Sequence, residues 1–151
     1  MQRKGNYPPP PGVTDVLGLE CLGQIVEDPS KAGTAEEKLG KTVIALIPGG
    51  GYAQYAKAKA SHTLEVPEGY PINEAAALME VFCTAYQILF LVSKAEAGEY
   101  VLVHAAASGV GTSIIQLAKS AGIKTIAVAS NNEKLNYCKE KLGADFTINY
   151  K

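Results

Sequence analysis

Hydrophobic positions change their spacing near residue 72. Before it, apolar residues come in short runs cut by glycine and proline; after it, short apolar runs alternate with longer amphipathic ones. The opening MQRKGNYPPPPG is polar and proline-rich, which predicts an extended or turn segment. Between Val16 and Val26, GLECLGQIV reads as a strand punctuated by Gly18 and Gly23, and Asp28–Lys41 reads as turns at Pro29, Gly33 and Gly40. TVIALI (42–47) predicts a buried strand, PGGG a flexible turn, and YAQYAKAKA (52–60) an alternating strand with Lys57 and Lys59 on one solvated, edge-protecting face. Asn73 is a candidate N-cap for an Ala-rich helix running through Ser93. From Glu99 the pattern alternates: strand Tyr100–Ala105, helix Gly109–Ala121, strand Lys124–Ala129, helix Asn131–Leu142, strand Asp145–Tyr150. Gly122 and Gly143 stop the two helices. Strand–helix–strand–helix–strand with short links predicts an α/β fold built on a parallel, doubly wound sheet.

Composition narrows the function classes. With 14 basic and 15 acidic residues the net charge is −1, which offers no electrostatic footprint for nucleic acid or an anionic membrane. Cys21, Cys83 and Cys138 are odd in number and far apart, so neither a disulfide framework nor a zinc ribbon is readable. The longest apolar stretch, 75–92, is broken by Glu80 and Gln87, against the cleaner run of about 20 residues that a bilayer needs. A cytoplasmic protein is the expectation. Ser108 has no Asp/His partner at a useful spacing for a hydrolase. His104 is read as a packed structural residue at a strand end, and His62 as a turn residue.

The stretch YVLVHAAASGVGTSIIQLAKSAG carries the chemistry. A buried strand runs into Ala105, Ala106, Ala107, Ser108, Gly109 and Gly111, and a helix begins at once. Small residues let backbone amides approach a pyrophosphate, and the helix N-terminus supplies unpaired N–H groups and a favourable dipole. The G-x-G-x-x-G fingerprint is not met in full, because Ala106 and Ser108 stand at its first two glycine positions. Such a turn also serves plain strand–helix packing. The flanking strand, helix and second strand favour a dinucleotide site. An NAD-selective domain places Asp or Glu at the end of the second strand for the ribose 2′-hydroxyl. Here the sequence is Ala129-Ser130-Asn131-Asn132-Glu133-Lys134, whose small polar groups and lysine suit a 2′-phosphate and hence NADP(H). Ser130 or Asn131 also reads as an N-cap and Lys134 as a solvated helix charge; the two uses are compatible.

MQRKGNYPPPPG, LGLECLGQIV, ALIPGGGYAQY, VPEGYPINEAAALMEVFCTAYQIL, YVLVHAAASGVGTSIIQLAK and LGADFTINYK together resemble the zinc-independent quinone oxidoreductases of the medium-chain dehydrogenase/reductase superfamily. Within them they look most like the tumour-suppressor-inducible NADPH quinone oxidoreductase branch. The resemblance implies a partial GroES-like β-rich substrate domain (1–72), a helical crossover (73–98), and the first half of a Rossmann NADP-binding domain (99–151). It implies that Ser108, Gly109, Val110 and Gly111 lie against the pyrophosphate, and that Ser130, Lys134 and Tyr150 hold the 2′-phosphate. It further implies Thr84 near the nicotinamide and Tyr7 at the substrate mouth. Zinc enzymes of the superfamily carry Gly-His-Glu where this chain has Gly18-Leu19-Glu20, and another ligand position falls on Glu80. Leucine binds no metal, so no metal site is expected and Glu20 reads as a buried hydrogen-bonding residue.

The implied reaction is hydride transfer from NADPH to a small-molecule quinone or conjugated carbonyl, with Tyr7 and Ser108 as candidate catalytic donors or positioners. Two other readings stay open: an enone, alkenal or enoyl-thioester reductase on the same scaffold, and a non-catalytic nucleotide-binding protein of crystallin-like or RNA-binding role. A homodimer is expected of the full-length parent. Two domains need about 200–400 residues, so a chain of 151 reads as an incomplete piece, truncated at both ends.

Overall fold

The computed structural model describes residues 2–29, 31 and 38–151, so the turn expected at Gly33 lies outside the described residues. The chain divides into two compact units, Met1–Glu80 and Val81–Lys151. The division falls inside the segment read as a helical crossover.

In the first unit, β1 (Glu20–Gln24), β2 (Thr42–Leu46) and β3 (Thr63–Glu65) form an antiparallel sheet in that order. Leu22 faces Ile44, and Ile44 faces Leu64. The β-branched run of β2 is the most buried part, and Ile44 packs with Ala75 and Met79 beneath Leu22, Leu46, Val66 and Leu78. Residues 52–60 do not form the alternating strand that the sequence predicts. They bend at Tyr52–Tyr55 and stay exposed, with Tyr52 and Tyr55 among the most open aromatics. The cause lies just upstream. Gly50, Gly51 and Tyr52 donate their amides to the carbonyls of Val16, Gly18 and Leu17, which ties this loop back onto the segment before β1. A Cβ on Gly51 would come within 2.6 Å of the Glu20 carbonyl oxygen, so PGGG is a tight crossing and not a flexible turn. Lys57 and Lys59 therefore protect no strand edge. The strand comes later, at β3, after a short 3₁₀ turn at Ala60–His62.

α-Helical structure among the described residues begins at α1 (Ile72–Ala75) with Pro71 at the N-cap, so Asn73 lies inside the helix and not at its cap. Pro71 has a fixed φ, and its carbonyl takes the amides of Glu74 and Ala75. The expected single helix is also interrupted: a turn at 76–78 precedes α2 (Met79–Tyr86), which runs on as a π-helical segment, Gln87–Val92.

The second unit follows the sequence pattern closely. β4 (Tyr100–Val103), β5 (Lys124–Ala129) and β6 (Phe146–Asn149) form a parallel sheet in that order. α3 (Gly109–Ser120) joins β4 to β5, and α4 (Asn132–Asn136), extended by a π-helical turn at Tyr137–Lys141, joins β5 to β6. α3 ends in a Schellman arrangement: Gly122, at φ +71°, donates to Lys119 and Ile123 donates to Ala118. Val103, Ala106, Ile115, Ala127, Cys138 and Ala144 form the core between helices and sheet. Tyr100, Leu102, Phe146 and Ile148 remain exposed. His104 is exposed too, in the turn after β4, and is not the packed residue expected from the sequence. That turn, which ends the strand at Val103, carries its side chain out to solvent.

Candidate cofactor and substrate sites

In the second unit the turn between β4 and α3 is built for close approach. Ala105 adopts a left-handed conformation, φ +49°, and Ser108 is the N-cap of α3. The Ser108 hydroxyl accepts the Gly111 amide at 3.1 Å, and the Ser108 carbonyl accepts the Thr112 amide at 2.8 Å. A Cβ on Gly111 would stand 2.6 Å from the Ala105 oxygen and 2.7 Å from the Ala106 oxygen. Gly111 thus lets the helix start directly against the strand end, and its own amide is taken by Ser108. The first-turn amides of Gly109 and Val110 have no intrahelical acceptor by helix geometry, and Ser108 and Gly109 are exposed. Val81 of α2 lies against Gly109: a Cβ there would come 3.0 Å from the Val81 Cγ1. Thr84, half-buried, follows one turn along α2 from Val81.

At the ends of β5 and β6 the structure gathers the other cofactor candidates. Ala129 accepts the Tyr150 amide at 3.2 Å, which brings the Tyr150 backbone to the end of β5, where Ser130 follows Ala129. Asn131, not Ser130, caps α4, taking the Lys134 amide on its Oδ1 at 2.9 Å. Ser130 is half-buried, while Lys134 and Tyr150 are exposed. The turn 129–132 holds no acidic side chain. Helix-start amides, small residues and a lysine in place of a carboxylate form a donor set that fits a dinucleotide with a 2′-phosphate.

In the first unit Tyr7 lines an open groove of about 900 Å³, with Leu19, Leu46, Pro48, His62 and Glu80 among its walls. Leu19 is half-buried. The Glu20 carboxylate accepts the Glu80 amide at 3.0 Å. Burial, and then the charge of Glu20, push the Glu80 carboxyl above its ordinary range. Burial likewise raises the Cys21 thiol, with Glu20 adding to it. Among the described residues no group of three or more His, Cys, Asp or Glu is placed to hold a metal ion, and no helix is long and apolar enough to cross a membrane. Sequence reasoning missed Gly51 and the Asn131 cap preference over Ser130; the PGGG run was the available signal for the first.

Residues 109–151 match the zinc-binding dehydrogenase family model. The quinone oxidoreductase of Rattus norvegicus is 33% identical over 131 residues, covering 87% of this chain and 40% of the rat protein. Highly-reducing polyketide synthase 1 of Aureobasidium melanogenum is 34% identical over 127 residues, 84% of this chain and 6% of the synthase. Among solved structures, the Pseudomonas syringae quinone oxidoreductase superposes with a TM-score of 0.84 at 31% identity, covering 99% of this chain and 45% of that one. The Thermus thermophilus quinone oxidoreductase, solved also in complex with NADPH, gives 0.72 at 36% identity, over 88% of this chain and 40% of its own. The CurK enoyl reductase gives 0.80 at 30% identity, over 90% and 40%. The chain thus spans less than half the length of each of these proteins. The matched dehydrogenase segment lies within the second unit, and the α/β architecture is shared with the oxidoreductases among these relatives.

Proposed function

We propose that this chain carries the NADP(H)-binding and substrate-lining parts of a zinc-independent oxidoreductase that reduces a quinone or a conjugated carbonyl. The observation that carries the reading is the acid-free turn after β5, with Ser130, Lys134 and Tyr150 around it, next to a small-residue turn that opens α3. The amides of Gly109 and Val110 would hold the pyrophosphate, with Ser108 and Gly111 shaping the turn. Ser130, Lys134 and Tyr150 would hold the 2′-phosphate, and Thr84 would stand toward the nicotinamide. When bound, NADPH supplies the hydride. Tyr7, on the groove wall, is the proposed donor to the acceptor oxygen, a task that falls to hydrogen bonds where no metal polarises it. Leu19 in place of a ligand is the basis for zinc independence.

Calorimetry of the chain with NADPH and NADH tests the cofactor assignment: tighter NADPH binding is expected, unchanged after exhaustive chelation. Equal affinity for both cofactors would overturn it, and one tightly held zinc per chain would overturn the metal assignment. A second reading, enoyl-thioester or enone reduction, has its support in the likeness to the CurK enoyl reductase. Steady-state rates with NADPH on quinones against enones and enoyl thioesters separate the two.

A further inference from the structure

The cofactor assignment leaves two residues unused that the fold places between its parts. Asn149, at the end of β6, donates from Nδ2 to the Oδ1 of Asn132, the first residue of α4, at 2.9 Å. The other end of the same amide is also engaged: Asn149 Oδ1 accepts the Lys151 N–H at 3.1 Å. One face of the amide thus holds the outgoing chain and the other holds α4, which fixes the orientation of the group. β6 needs such a tie, since all four of its residues are exposed and it has one strand neighbour among the described residues. Beyond β6, Tyr150 is held to Ala129 by a single backbone bond of 3.2 Å. On the other side of the bridge, Asn132 sits between the Asn131 cap and Lys134, whose amide that cap receives.

We propose that Asn149 and Asn132 form a positioning bridge that sets the spacing of Tyr150 from Ser130 and Lys134, and so sets the preference for a 2′-phosphate over a 2′-hydroxyl. The inference rests on the NADP(H) reading above. Neither asparagine is placed against the ligand; each acts through its neighbours. A rigid triad pays less ordering entropy when a phosphate arrives, so loosening the bridge weakens the phosphate-bearing ligand selectively.

The test uses the full chain and two half-cofactor probes, adenosine 2′,5′-bisphosphate and 5′-AMP, with affinities read by calorimetry at fixed salt. Asn149→Ala and Asn132→Ala are each expected to shrink the ratio of the two affinities roughly 3- to 10-fold, the worth of one neutral hydrogen bond. Because Asn132 acts through the bond it shares with Asn149, Asn132→Ala/Asn149→Ala is expected to be no worse than Asn149→Ala alone. Lys134→Ala serves as the reference. If Lys134→Ala removes the preference while both asparagine variants keep it, the bridge is overturned and the cofactor reading stands. Equal weakening of both probes would make the bridge merely structural and overturn it as well. An unmodified chain with no preference between the probes would overturn both readings together.

Discussion

The two units solve chain folding in different ways. In the second, each parallel strand is followed by a helix that returns to the next strand, so a local pattern of apolar residues specifies each element and its end. In the first, the described strands β1, β2 and β3 pair antiparallel across long separations in sequence, and β1 meets β2 only after the chain has run from Gln24 to Thr42. Its order rests on contacts distant in sequence, such as Gly51 against Gly18 and the Glu20 carboxylate on the Glu80 amide. The regular unit concentrates its cofactor candidates at strand ends. The irregular one spreads an open groove over loops.

The sharpest way to break this contrast is at the glycine on which each unit depends. Gly111→Ala places a methyl group within 2.7 Å of two backbone carbonyl oxygens, and neither the strand end nor the helix start can yield cheaply. A loss of about 1–3 kcal/mol or more is expected. Gly51→Ala meets the Glu20 carbonyl at 2.6 Å and should cost the first unit a similar amount. Urea titrations followed by hydrogen exchange would assign each loss to its unit. Exchange that rises equally in both units after either substitution would show that they do not fold separately.

Next comes the charge that Lys134 carries on α4. Lys134→Ala should weaken NADPH binding by about 1.5–3 kcal/mol, roughly 10- to 100-fold, and leave NADH nearly unchanged. Equal losses for both cofactors, measured by calorimetry, would remove Lys134 from the site.

These two units also explain how far the sequence could be read. β5 appears with the bounds its pattern predicts, and α3 with its N-terminus at the predicted Gly109, because apolar alternation, a capping residue and a stopping glycine all lie within a few positions. The small-residue turn before α3 and the acid-free end of β5 were visible for the same reason. Residues 52–60 misled because alternation alone does not supply a strand partner, and the loop is tied elsewhere through Gly50 and Gly51. Asn73 misled because Pro71 outranks it as a helix start. The Asn149–Asn132 bridge could not be read at all, since nothing in either residue's neighbourhood announces a partner 17 positions away.

A smaller effect concerns the sheet of the second unit. Tyr100 and Leu102 are exposed on β4, as are Phe146 and Ile148 on β6, and Leu102 and Phe146 both stand level with Ile126 of β5. Parallel sheets are ordinarily covered on both faces. Self-association that rises with concentration is expected, and Leu102→Thr with Ile148→Thr should shift sedimentation toward the monomer. A chain that sediments as a monomer at every concentration, before and after substitution, would show that this face stays wet without penalty.

The smallest effect tests the irregular unit through its titration. Burial and the neighbouring Glu20 raise the Glu80 carboxyl above the ordinary value of 4.5, so the folded chain holds this proton more tightly than the unfolded one. Over the window from that value up to the folded one, the native state therefore binds more protons, and stability falls as the pH rises. Glu65 runs the other way. Hydrogen bonds from Lys38 and Lys41 lower its carboxyl, so its contribution is present above 4.5 and is lost as the pH falls through the depressed range. The two windows lie on opposite sides of the same value and can be separated. Glu80→Gln keeps the backbone amide that Glu20 accepts and removes the charge. It should raise the melting temperature at neutral pH, flatten the decline above 4.5, and leave the acid limb unchanged. The gain should stay below about 1 kcal/mol, because water screens a part-buried carboxyl. Melting curves for both proteins across the acid-to-neutral range decide the matter: parallel curves would mean that Glu80 is not strained by its surroundings.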